Sequence, residues 1–137
     1  MPTVELLFSA QPEHVRTARL VAAAVARRAG VDEAALDEVR LAVGEACSRA
    51  VGLHRNSALE EPVRVRLTEE DKKFSIEVAD EVPGTGAGAA PDGAADEAAD
   101  DEGEMGLAVI SGLVDDFEVI DGDKGGIIRM SWPTAGV

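Results

Sequence analysis

Leu36, Val39, Val43, Ala46 and Ala50 recur at three- and four-residue steps. Residues 33–52 are therefore expected to form a helix whose single apolar stripe must be covered by another layer. Asp32 stands just ahead of it, where a carboxylate can cap the first free N–H groups. A stripe of the same period precedes it, at Val15, Ala18, Ala22, Val25, Ala26 and Ala29, and Gly30 supplies the stop. Two helices in direct succession depart from a chain that alternates strand and helix.

The rest of the pattern has the period of strands. Thr3 to Phe8 is short, apolar and β-prone, with Pro12 closing it. Val63, Val65 and Leu67 alternate with Arg64, Arg66 and Thr68, and Phe74, Ile76 and Val78 alternate with Ser75 and Glu77. A short polar turn at 69–72 makes the two runs a hairpin, with Arg64, Arg66 and Glu77 directed to water or a partner. A third helix is expected over 106–115, burying Leu107, Ile110, Leu113 and Val114. Strands over 117–120 and 127–132 follow, joined by a turn through Gly122, Gly125 and Gly126. The order implies an α+β two-layer sandwich, with a mostly antiparallel mixed sheet covered on one face by about three helices. Residues 1–137 are one domain on the usual size prior.

Charge narrows the function classes. Thirteen Lys and Arg against 27 Asp and Glu leave a net charge of −14. Such a surface repels a phosphate backbone, so direct nucleic-acid contact is not expected. Residues 85–104 hold seven of the acids, seven Ala, four Gly and no base. That stretch cannot pack and is expected to be a disordered loop. Absence of a long apolar run or a signal-like start, with one cysteine, Cys47, points to a cytoplasmic chain without membrane contact.

Three groups of residues invite a chemical reading, each beside a plainer one. Glu45 lies off the buried stripe, sharing a helix face with Arg49, and a solvated i,i+4 ion pair explains it as well as catalysis does. Asp80, at a strand end before Glu81, Val82, Pro83 and Gly84, can accept an amino group or simply form a turn. Gly84, Gly86 and Ala89 imitate a dinucleotide fingerprint, but Pro91 and the acids beyond forbid the helix it needs. Gly103 and Gly106 open a helix whose N–H groups can meet phosphate, or merely let a loop exit. His14, His54, Cys47, Ser48 and Ser111 carry no metal or nucleophile spacing.

Together these pieces resemble the anti-sigma-factor serine/threonine kinases with the histidine-kinase-type ATPase (GHKL, Bergerat) fold. Ala42-Val43-Gly44-Glu45-Ala46-Cys47-Ser48-Arg49-Ala50-Val51 resembles the family's second-helix box, Val-x-Glu-Ala-x-x-Asn-Ala-Val. Val78-Ala79-Asp80-Glu81-Val82-Pro83-Gly84 resembles the adenine box Asp-x-Gly-x-Gly. Gly103-Glu104-Met105-Gly106-Leu107 resembles the Gly-x-x-Gly-Leu box that ends the ATP lid. The likeness covers nearly the whole chain.

The resemblance implies a bacterial partner-switching protein with ATP and Mg²⁺ as cofactors. It would sequester an RNA polymerase sigma factor and phosphorylate a STAS-domain anti-anti-sigma factor, and homodimers through the sheet are a family habit. It implies Glu45 as general base, Asp80 and Gly84 at adenine, Gly103, Gly106 and Leu107 at phosphate, and residues 85–104 as the lid. Departures are specific. Arg49 replaces the Asn that would ligate magnesium, Val82 replaces a glycine, and six acids from Asp92 to Glu102 face the polyphosphate. A guanidinium cannot ligate a cation, though it can meet phosphate itself. All three changes push toward a degenerate nucleotide site. The expected function is an anti-sigma factor released by its STAS antagonist with impaired or absent phosphotransfer; the alternative is an active serine kinase.

Overall fold

Helix α1 spans Pro12–Ala29 and helix α2 spans Leu36–Asn56; they belong to a computed structural model that describes residues 3–82, 110, 112, 114, 116–121 and 125–134. Pro12 opens α1 where its missing N–H costs nothing, and Glu13 and Arg27-Arg28 match the signs of the helix ends. Gly30 closes it with φ 102°, a left-handed conformation that suits glycine. Asp32 does cap, but what it caps is a 3₁₀ turn over Glu33–Ala35, its carboxylate accepting from the Ala34 N–H at 3.3 Å. The second helix then runs past Gly52 to Asn56, because buried His54 is tied to the segments around it.

Strands β1 (Thr3–Phe8), β2 (Val63–Glu70), β3 (Lys73–Ala79), β4 (Asp116–Asp121) and β5 (Gly126–Pro133) form one sheet. Its spatial order is β1-β2-β3-β5-β4, and every pairing is antiparallel among the described residues. Alternation decides the faces. Val63, Val65, Leu67, Phe74, Ile76, Val78, Ile128 and Met130 point inward and are buried. Against them pack the alanines of α1 and the stripe of α2, with Leu36, Val39, Val43 and Cys47 fully enclosed. Small residues on α1 let the helix pair lie close to the sheet.

Ile110 and Gly112 are helical, Ile110 and Val114 are buried, and the Val114 N–H bonds the Ile110 carbonyl at 3.0 Å. These residues agree with the expected third helix; Leu107, Leu113 and the stretch 85–104 lie outside the described residues. No helix among those described is long and apolar enough to cross a membrane.

The sheet face away from the helices is uncovered among the described residues, and it carries a row that crosses all five strands. Register places Glu5 opposite Arg66, Arg66 opposite Glu77, Glu77 opposite Arg129, and Arg129 opposite Glu118. Charges alternate along it, at 3.3 Å for Arg66–Glu5, 3.9 Å for Arg66–Glu77, 3.6 Å for Arg129–Glu77 and 3.8 Å for Arg129–Glu118. A single exposed pair is worth little, but Glu77 holds two arginines at once. Glu77→Gln is therefore expected to cost about 0.5–1 kcal/mol in low salt, a difference that about 1 M salt largely removes. Chemical denaturation at both ionic strengths checks it, and a cost independent of salt would show that the row contributes no electrostatic stability.

Candidate functional site

The chain leaves β3 at Ala79, and the next residue, Asp80, is only 5% exposed. Its backbone N–H donates to the Gly126 carbonyl at 3.0 Å, which continues the β3–β5 ladder by one step. Its Oδ1 accepts from the N–H groups of Val82 at 2.9 Å and Gly126 at 3.2 Å. The first of these makes Asp80 a turn-former, as the plainer reading of the sequence proposed. Val82 is absent from the positive-φ residues, so this turn does not demand a glycine there.

Such a close approach has a steric condition. A Cβ on Gly125 would stand 2.2 Å from the Asp80 carbonyl oxygen and 2.7 Å from Oδ1. Only glycine lets β5 begin so near the carboxylate.

Arg49 supplies the opposing charge. Its Nη1 lies 3.9 Å from Asp80 Oδ2, and the two side chains are only 12% and 3% exposed. Burial lowers the Arg49 pKa, and the Asp80 carboxylate pulls it back up. The guanidinium stays charged because its ordinary value is so high. The ion pair that Arg49 makes among the described residues is thus with Asp80, across the fold, and not with Glu45 one turn earlier on α2.

Glu45 precedes Arg49 by one turn on the same helix. It lines a hollow of about 130 Å³ between α1 and α2, together with Arg19, Arg40 and Ser48. Gly44 makes room there, since a Cβ at that position would lie 3.0 Å from the Arg19 Cδ. Cys47 faces the core instead, where burial pushes its thiol up to about 12 and leaves it unreactive. Among the described residues no cluster of His, Cys, Asp or Glu could hold a metal ion.

The structure therefore brings Asp80 and Arg49 together and places Glu45, one turn before Arg49 on α2, in the hollow; Gly84, Gly103, Gly106 and Leu107 lie outside the described residues. Sequence reasoning missed two participants. His54, set aside for want of metal spacing, is fully buried, its Nε2 accepting from the Glu81 N–H at 2.8 Å. Gly125 was read only as part of a turn, although two adjacent glycines before a strand are a signal of close backbone approach.

A family model described as the histidine kinase-like ATPase domain matches residues 8–132. No curated protein matches the chain. Among solved structures it is similar to the RsbU and RsbW domains of Rv1364c from Mycobacterium tuberculosis, with a TM-score of 0.70 and 16% sequence identity. That likeness covers 98% of this chain and 33% of the other, so this chain spans about a third of that one's length. At such identity the likeness speaks for the fold alone.

The contact of Gly125 with Asp80 sets a measurable cost. Gly125→Ala is expected to destabilise the protein by about 3 kcal/mol, because backbone rather than a flexible side chain must yield. Chemical denaturation measures it, and a loss below about 1 kcal/mol would mean that β5 can start elsewhere.

Proposed function

Because the chain belongs to the histidine kinase-like ATPase domain family, we propose that it is an anti-sigma factor working by partner exchange. It holds an RNA polymerase sigma factor and is displaced by a STAS-domain anti-anti-sigma factor, with little or no ATP-dependent phosphotransfer. Three sequence boxes support the sigma-factor part, together with a fold shared with a structure that contains an RsbW domain. A net charge of −14 also suits a partner with basic DNA-contacting regions.

The loss of phosphotransfer is carried by one observation, the Arg49–Asp80 pair. Domains of this family bind ATP and Mg²⁺. Reading adenine needs a carboxylate oxygen facing the exocyclic amino group, and holding magnesium needs an oxygen donor on α2. Here Oδ1 of Asp80 caps backbone N–H groups, Oδ2 faces a guanidinium, and α2 offers a cation in place of the donor. These residues do not fit the nucleotide and its metal.

Glu45 favours the second reading, an active serine kinase. It has no ion pair among the described residues and stays half-exposed in the hollow beside Ser48, where a general base could meet a hydroxyl. A homodimer on the uncovered sheet face belongs to either reading. The neighbouring row on that face is Leu7, Arg64, Ala79, Ile127 and Ile120, so such a dimer would bring apolar side chains together around one arginine.

Calorimetric titration with ATP and Mg²⁺ separates the readings. The natural protein is expected to give no heat at micromolar ligand, and Arg49→Asn is expected to gain affinity by roughly a hundredfold, the factor that about 3 kcal/mol for the buried pair corresponds to. Micromolar binding by the natural protein, or serine phosphorylation of the STAS antagonist that Glu45→Ala abolishes, would establish the kinase instead.

A further inference from the structure

The turn that carries Asp80 is held from behind by a group that partner exchange does not use. His54 lies on the last turn of α2 and is fully buried. Its Nδ1 is 2.9 Å from the Glu61 carbonyl oxygen, and its Nε2 is 2.8 Å from the Glu81 backbone N. Both neighbours have fixed chemistry. A backbone N–H can only donate, so Nε2 must present a lone pair; a carbonyl can only accept, so Nδ1 must carry the proton. One neutral tautomer satisfies both contacts. The other sets N–H against N–H and lone pair against oxygen.

We infer that His54 is a positioning residue for the Asp80 site, a neutral Nδ1–H imidazole that pins the turn at Glu81 to the loop at Glu61. The inference rests on the proposed function only in taking the Asp80 turn as the site. Glu81 lies between Asp80 and Val82, whose N–H donates to the Asp80 carboxylate. The Glu81 N–H fixes the Asp80–Glu81 peptide plane and the Val82 N–H the one after it, and together they set the direction in which Oδ2 meets Arg49. On the other side, the loop holds Ala58 at φ 54°, a left-handed conformation costly for a residue with a Cβ. The Leu59 N–H bonds the His54 carbonyl at 2.8 Å. The same residue thus serves the loop through its backbone and its Nδ1, and the site through its Nε2.

Substitutions can divide these roles. Gln carries an amide oxygen that reaches the place of Nε2, so His54→Gln keeps an acceptor for Glu81. Asn carries an amide nitrogen at the place of Nδ1, so His54→Asn keeps only the link to Glu61. His54→Leu keeps neither. The test is nuclear magnetic resonance on the full chain, reading the ring nitrogen shifts of His54 and amide exchange at Glu81, Val82 and Gly126, with Val65 and Ile76 as mid-sheet references.

The ring is expected as the Nδ1–H tautomer. Exchange at Glu81 and Val82 is expected to quicken by about tenfold or more in His54→Asn and His54→Leu, and to stay near the natural rate in His54→Gln, with Val65 and Ile76 unmoved. An Nε2–H tautomer would overturn the inference. So would His54→Gln exchanging as fast as His54→Asn, or equal acceleration at the mid-sheet references, which would reduce His54 to core packing. If His54→Leu fails to fold, the tautomer and the comparison of Gln with Asn still decide. No nucleotide or partner enters the measurement, so its failure leaves the proposed function standing, and the reverse holds as well.

Discussion

A carboxylate buried at the end of β3 governs what surrounds it. Burying Asp80 is costly unless its oxygens are satisfied, and the chain satisfies them from three directions. The turn supplies the Val82 N–H, the start of β5 supplies the Gly126 N–H, and α2 supplies a guanidinium. Gly125 is the steric condition for the second of these. One acid thereby ties together the central strand pair and the longer helix, elements far apart in the chain. In the order β1-β2-β3-β5-β4 the neighbours β3 and β5 are far apart in the chain, and the tie at Asp80 adds to their own ladder.

Charge is distributed in a way the net value hides. The chain as a whole is strongly acidic. Yet the uncovered sheet face is balanced, with Arg66 and Arg129 each set between two glutamates. At the hollow the helix layer sets Arg19 and Arg40 against Glu45, with Arg40 also paired to Asp37. Partner steering by overall charge and docking at a particular face are therefore separate questions, because the first acts over a Debye length and the second over a contact.

Local periodicity made the helices and the hairpin legible. The stripe through Leu36, Val39 and Val43 and the alternation through Val63 to Val78 are each set by neighbours within a few residues. The outward direction of Arg64, Arg66 and Glu77 followed from the same alternation. Features that depend on distant partners were not legible. Helix α2 continues past Gly52 because His54 has partners at Glu61 and Glu81, neither of which marks itself in the sequence. Arg49 invited pairing with Glu45 by its spacing, whereas the fold gives it a carboxylate from the end of β3. Register across the sheet, which lines up Glu5, Arg66, Glu77, Arg129 and Glu118, is likewise a property of pairing and not of any one strand.

Magnitudes decide how far Arg49 alone can close the nucleotide site. Breaking a buried ion pair by taking one partner away costs about 3 kcal/mol. A ligand of micromolar affinity binds with about 8 kcal/mol, so displacing Arg49 from Asp80 would leave it roughly a hundredfold weaker, not excluded. A cation on α2 adds a second penalty, because it meets the metal's charge where a neutral oxygen would have ligated it. On the proposed reading the two penalties would act on different parts of one ligand, the first on the base and the second on the metal and its phosphates. Glu45 lines a hollow with Arg19, Arg40 and Ser48, and Asp80 is not part of that lining. On the proposed reading, loss of phosphotransfer would therefore be a matter of failed cofactor capture and not of a displaced Glu45.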